Sequence, residues 1–228
     1  MTISTKKFIA IAGNIGVGKS SLTRLLAKHF GWEPFYEAVD DNPYLSDFYR
    51  DMRTWAFHSQ IFFLARRLRH HKQLLRHPNS VVQDRSVYED AEVFAGNLYR
   101  QGNIDERDYR TYRDLYETMI ELVPPPDVVV YLRASVDTLM KRIRMRGREF
   151  EQAIDPRYLE RLNDLYEEWI HAFTLSPVLI VPADELDFVS HDTHFGLIAQ
   201  KIQEKLAGKD EVTFLSEELD RVNGRTHE

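Results

Sequence analysis

Phe8-Ile9-Ala10-Ile11-Ala12-Gly13-Asn14-Ile15-Gly16-Val17-Gly18-Lys19-Ser20-Ser21 decides the fold. Five apolar residues in a row, stopped by a glycine, read as a short strand buried on both faces. Gly13 to Ser20 then fits the pattern G-x-x-x-x-G-K-[ST]. Behind it, Leu22, Leu25, Leu26 and Phe30 fall at helical spacing, which predicts a helix from Lys19 to Phe30. Strand, glycine-rich loop and helix follow one another directly. That is the context in which such a loop wraps a phosphate with backbone N–H groups. Lys19 offers a point charge to β and γ phosphates, and the Ser20 hydroxyl can ligate Mg²⁺.

Outward from this unit, four more short strands are predicted: Pro34–Glu37, Ser80–Asp84, Asp127–Leu132 and Val178–Val181. Helices are expected at Tyr44–Met52, Thr54–Arg76, Asp90–Arg100, Glu106–Leu122, Val136–Met145, Pro156–Phe173 and Asp192–Leu206. Five apolar strands alternating with helices predict an α/β fold with a five-stranded parallel sheet covered on both faces. Neither an internal repeat nor a flexible linker interrupts residues 1–208, which read as one domain. Residues 209–228 are polar and are expected to be a frayed tail.

Composition narrows the partners. The chain has 228 residues, with 30 Lys and Arg against 36 Asp and Glu, a net charge of −6. That balance argues against coating a nucleic-acid polymer or an anionic membrane. There is no cysteine, which excludes disulfides, thiolate catalysis and Cys-based metal sites. No apolar run has the length of a membrane span, and the polar start has no apolar signal segment behind it. A cytoplasmic location is expected.

A phosphate loop alone does not separate a switch GTPase, an ATPase motor and a small-molecule kinase. No guanine-reading Asn/Thr-Lys-x-Asp segment is present. The large basic cluster outside the loop is Lys141 to Arg148. Arg142 and Arg146 share a helix face, and Arg148 follows Gly147 and can turn back toward them. Three converging guanidiniums suit the charge on a phosphoryl group in transfer; a solvated helix end is the plainer reading of the same cluster. Glu37 ends the second strand and could take a proton from a substrate hydroxyl. Asp84 and Arg85 end the third, where Asp84 could hold Mg²⁺ and Arg85 an anion. For either acid taken singly, a structural ion pair reads as well.

Together these segments resemble the deoxynucleoside kinase family, in its bacterial deoxyadenosine/deoxycytidine kinase branch. The resemblance runs from about Phe8 to Leu206. It is carried by the phosphate loop, Glu37 with Asp40 to Leu45, Phe48-Tyr49, Trp55 to Gln60, Gln83 to Asp90, Arg142 to Glu151, and Ala183 to Phe188. It implies a P-loop kinase fold with an Arg-rich lid and an enzyme that moves the ATP γ-phosphate to the 5′-hydroxyl of a deoxynucleoside. It implies Glu37 as general base, Arg85 beside it, and Asp84 near Mg²⁺ with Ser20. Tyr49 and Glu151 would bind the sugar 3′-hydroxyl, and Gln60, Arg67 and Asp90 would face the base. Arg142, Arg146 and Arg148 would form the lid. Gly13 through Ser21, Arg146, Asp187 and Phe188 would hold ATP. The resemblance also implies a homodimer, with the long Thr54–Arg76 helix as a candidate face. One departure is Ala38, where many members have proline.

Gln60 bears on the base. A fixed amide can pair with an amino donor beside a ring-nitrogen acceptor, which adenine and cytosine both present. Deoxyadenosine and deoxycytidine are therefore expected substrates, with deoxyguanosine left open. Two rivals are a nucleoside monophosphate kinase, which needs cations for an acceptor phosphate, and a non-catalytic P-loop module that only senses nucleotide.

Overall fold

The central strand is β1 (Phe8–Gly13), and all six of its residues are buried. In this computed structural model, which describes residues 6–36, 41–152 and 154–225, four further strands flank it: β2 (Glu33–Phe35), β3 (Val81–Asp84), β4 (Val128–Arg133) and β5 (Val178–Pro182). Their order is β2-β3-β1-β4-β5 and every neighbouring pair is parallel. The runs that read as continuous apolar strands sit inside the sheet, where both faces are covered. β2, with Glu33 exposed, forms an edge. Ile11 pairs with Asp84 and Gly13 with Leu132. The carboxyl ends of β1 and β3 therefore lie side by side, at the point where connections leave in opposite directions and a ligand crevice forms.

The connecting helices are α1 (Lys19–Phe30), α2 (Leu45–Arg50), α3 (Met52–Arg76), α4 (Val87–Glu89), α5 (Gly96–Arg100), α6 (Glu106–Ile120), α7 (Val136–Arg146), α8 (Pro156–Ala172), α9 (Asp192–Leu206) and α10 (Ser216–Val222). Side chains fix several of their ends. Asp51 caps α3 through Thr54 N at 3.2 Å, so α3 starts two residues before the expected Thr54. Gly147 ends α7 in the left-handed conformation at φ 72°. No helix among the described residues is long and apolar enough to cross a membrane.

Three further expectations differ from the structure. The predicted strand ending at Glu37 ends at Phe35, and Glu37 and Ala38 lie outside the described residues. The helix expected at Asp90 begins at Val87, because Ser86 and Glu89 form a reciprocal capping box. Between α4 and α5 the chain widens into a π-helical turn, Asp90–Ala95. Finally, residues 209–225 are docked instead of frayed. Val212 and Leu219 are buried in the main core. Lys201 of α9 donates to Glu218 of α10 at 2.6 Å, and a ring nitrogen of His194 lies 2.9 Å from Val222 O. A few apolar residues at the right spacing suffice to dock a short helix that composition alone makes look solvated.

Candidate active site

The donor half of the site grows from the end of β1. Gly13, Gly16 and Gly18 all have positive φ. Gly16 could not carry a side chain even if its backbone allowed one, since a Cβ would stand 2.7 Å from Ile143 Cγ1 of α7. The loop is thus pressed against the arginine-bearing helix. Lys19 Nζ donates to Gly13 O at 2.9 Å and Asn14 O at 3.0 Å. Ser20 Oγ donates to Asp84 Oδ2 at 2.5 Å. A hydroxyl of α1 and a carboxylate of β3 therefore meet as a pair of hard oxygen ligands beside the phosphate loop.

The acceptor half begins one residue later. Among the described residues Arg85 is the non-glycine residue with positive φ, at 67°. Its conformation is held from several sides. Arg85 N donates to Ile11 O at 2.9 Å. Arg67 Nη1 donates to the carbonyls of Asp84 and Arg85, each at 3.2 Å. The rest of the Arg67 guanidinium pairs with Asp90, Nε to Oδ2 at 2.9 Å and Nη2 to Oδ1 at 3.2 Å. Both members of that pair are buried, where a bidentate, hydrogen-bonded geometry is what makes an ion pair tolerable. The Arg85 guanidinium lies over the Phe94 ring, 4.2 Å from its centroid.

These halves bound one cavity of about 730 Å³. Leu45, Phe48 and Tyr49 of α2 wall it on one side, with Gln60 and Phe63 of α3 and Phe94 of the π turn. Gln60 is buried, and no hydrogen bond within the described residues engages its amide. On the donor side the wall is Ile15 to Ser21, then Thr138, Lys141, Arg142, Met145 and Arg146 of α7, then Asp184 and Asp187 to Ser190 after β5. Arg142 donates to Val17 O at 2.7 Å and Ala183 O at 2.8 Å. It clasps the phosphate loop to the segment after β5. Arg146 pairs with Glu151, which Arg148 also approaches at 3.5 Å. The backbone N–H groups of Val189 and Ser190 donate to Asp187 Oδ1, both at 3.2 Å. Burial raises the Asp187 pKa, but the bonds from Ser190 and Val189 outweigh it and hold the carboxyl below its ordinary value.

The family model for deoxynucleoside kinases matches residues 9–207. The chain belongs to the deoxynucleoside kinase family. It is 39% identical to the deoxyadenosine/deoxycytidine kinase of Bacillus subtilis over 202 residues, covering 88% of this chain and 93% of that protein. It is also 39% identical, over 207 residues, to a deoxyguanosine kinase of Lactobacillus acidophilus, covering 87% and 90%. Among solved structures, the deoxyadenosine kinase of M. mycoides with dCMP and a flexible dCDP bound superposes with a TM-score of 0.78 at 36% identity, covering 86% of this chain and 99% of that one. The chain is therefore a deoxynucleoside kinase with the P-loop kinase fold.

Residues named from the deoxynucleoside kinase resemblance fall into three groups. Ile15 to Ser21, Tyr49, Gln60, Asp84, Arg85, Asp90, Arg142, Arg146, Arg148, Glu151, Asp187 and Phe188 line the one cavity. Gly13, Asn14 and Arg67 do not. Gly13 N donates to Glu89, and the Asn14 amide donates to Leu159 O at 2.9 Å and Asn163 Oδ1 at 2.8 Å. Arg67 donates to Asp90 and to the carbonyls of Asp84 and Arg85, and so holds the wall of the cavity from behind. Glu37 lies outside the described residues. Phe94, Tyr158 and Glu89 were not singled out in the sequence. A phenylalanine or tyrosine in a helical stretch looks like ordinary core. Glu89 did carry a signal, the Ser-x-x-Glu spacing from Ser86.

Proposed function

We propose that this kinase moves the γ-phosphate of ATP to the 5′-hydroxyl of deoxyadenosine or deoxycytidine. The observation that carries the choice of base is the buried Gln60 amide, with no partner in the described residues, facing the same cavity as the Asp90 carboxylate that Arg67 holds. Overall similarity does not decide it, since a deoxyadenosine/deoxycytidine kinase and a deoxyguanosine kinase match at the same identity. With its oxygen toward an amino group and its N–H toward a ring nitrogen, the amide pairs with adenine or cytosine. Guanine presents the reverse order, and a buried mismatch costs about 1–3 kcal/mol.

In this reading Glu37 takes the proton of the 5′-hydroxyl as that oxygen attacks the γ-phosphorus in line and the bond to the bridging oxygen of ADP breaks. Tyr49 and Glu151 orient the sugar through its 3′-hydroxyl. Lys19, the loop N–H groups and the guanidiniums of Arg85, Arg146 and Arg148 meet the charge on the transferring group, so positioning and electrostatics carry the reaction. The hard oxygens of Ser20 and Asp84 suit Mg²⁺, which when bound supplies charge neutralisation at the phosphates. We further infer a cytoplasmic homodimer that takes a free nucleoside, not a polymer. The exposed Leu115 within α6 and Leu122 just beyond its end, on a helix packed beside the long α3, support such a face.

Four deoxynucleosides assayed with ATP at equal concentration test the reading. Deoxyadenosine and deoxycytidine should exceed deoxyguanosine and thymidine in kcat/KM by tenfold or more, on the order set by one buried mismatch. Equal efficiency on deoxyguanosine would remove Gln60 as the discriminator. Phosphorylation of deoxyadenosine monophosphate in preference to the nucleoside would favour the monophosphate kinase instead.

A further inference from the structure

Glu89 is fully buried and does not line the cavity. One carboxyl oxygen belongs to the acceptor side. Glu89 Oε1 accepts from Ser86 N at 2.8 Å and from the Ser86 hydroxyl at 3.3 Å, directly behind the turn that presents Asp84 and Arg85. The other belongs to the donor side. Glu89 Oε2 lies 3.2 Å from Gly13 N and 2.7 Å from the Tyr166 hydroxyl. Tyr166 Oη in turn lies 2.8 Å from Gly13 O, the same carbonyl that accepts from Lys19. One side chain thus ties the third strand's turn to the first glycine of the phosphate loop and, one bond on, to Lys19.

The protons in this cluster can be counted. A phenol has one hydrogen to donate, yet Tyr166 Oη is at bonding distance from two oxygens. Gly13 O can only accept, so the phenol proton goes there. The short contact to Glu89 Oε2 then needs a hydrogen from the carboxyl. The reverse assignment would leave Tyr166 Oη and Gly13 O facing each other at 2.8 Å with nothing between them. Burial acts in the same sense and pushes the Glu89 carboxyl up, against the opposing pull of Arg85 and Lys19.

We propose that Glu89 is a positioning residue for phosphoryl transfer. As a neutral acid hydrogen-bonded to Tyr166, it fastens the Asp84–Ser86 turn to Gly13 and so sets the spacing between acceptor-side and donor-side groups. In-line transfer is sensitive to misplacement of this kind, on the order of a hundredfold per ångström. The kinetic part of this proposal rests on the kinase reading above; the proton assignment does not.

The test compares Glu89→Gln, Glu89→Ala and Tyr166→Phe in the full-length protein, well below the melting temperature of each. Glutamine keeps a carbonyl for Ser86 N and an N–H for Tyr166 but gives up the acceptor for Gly13 N, so it should retain kcat within about tenfold. Alanine should lower kcat at least ~30-fold with a much smaller change in either KM, the split expected for lost positioning. Tyr166→Phe should lower kcat about threefold to tenfold, and it decides the matter if the alanine variant does not fold. The wild-type infrared spectrum at neutral pH should contain a protonated-carboxyl C=O stretch that Glu89→Gln removes. Absence of that band overturns the proposal. So does a glutamine variant as impaired as the alanine one, or a Tyr166→Phe variant with wild-type turnover. A wild-type protein that phosphorylates no nucleoside would instead sink the kinase reading and leave the infrared band to judge the hydrogen-bond assignment.

Discussion

Arg85 holds a backbone conformation that costs a non-glycine residue about 1 kcal/mol or more, and the surroundings over-determine it through Ile11 O, Arg67 and the Ser86–Glu89 box. Strain at a turn that also lines the cavity separates stability from activity. Replacing Arg85 with glycine removes the strain and the guanidinium together, whereas alanine removes the guanidinium alone. Arg85→Gly should therefore be more stable than Arg85→Ala by about 1 kcal/mol in urea unfolding, while both lose kcat to a similar extent, at least ~100-fold. Equal stability would mean that the turn is not strained. Unequal kcat would mean that the backbone, and not the guanidinium, serves transfer. Glu37 calls for a different substitution. Glu37→Gln keeps size and polarity but not basicity, so kcat should fall at least ~100-fold while ATP binding, measured by titration, persists. Near-normal turnover would take Glu37 out of the mechanism.

Helix α7 shows how far the sequence could be read at the level of elements. Its stop at Gly147 and the arginine cluster at and just past its end were visible; the Ser135 side chain that caps its start through Thr138 N was not singled out. What each arginine holds was not visible, because a guanidinium's partners depend on the approach of distant segments. Arg142 donates to Val17 O and Ala183 O, two carbonyls 125 and 41 residues away. The buried strands and α1 were legible within a residue or so, since apolar runs bounded by turn formers admit few other readings. The π turn at Asp90–Ala95 had no periodicity to announce it, although such turns gather at functional sites. It carries Asp90 and Phe94 into the cavity. The clasp made by Arg142 predicts more than a loss of charge. Arg142→Ala leaves both carbonyls without their donor and loosens the loop, so KM for ATP should rise about tenfold along with a fall in kcat, while KM for the nucleoside stays within about threefold. A change confined to the nucleoside KM would contradict it.

Across the whole molecule, chemistry and acid sensitivity sit at opposite ends of the sheet. The carboxyl ends of β1 and β3 open into the cavity. At the amino ends, Phe8, Ala10, Leu74 and Val81 form a separate apolar cluster. His71 is buried beside it, its ring edge-on to Phe8 at 5.6 Å, and its Nε2 has no hydrogen-bond partner in the described residues. Burial lowers its pKa from 6.5 to about 4. The unfolded chain therefore takes up a proton as the pH drops below 6.5, while the folded one refuses it until about 4. Stability is fully present above pH 6.5 and declines as the pH falls toward 4, by up to ~3 kcal/mol at 1.36 kcal/mol per pH unit. Leucine fits an apolar site, cannot titrate and leaves no orphaned nitrogen. In urea unfolding at pH 7 and pH 4.5, His71→Leu should lose less stability between the two than the wild type does. Its kcat at pH 7 should not change, because none of the residues lining the cavity belongs to this cluster. An unchanged pH slope would show that the acid sensitivity arises elsewhere, and a lowered kcat would show that the two ends are coupled through β1.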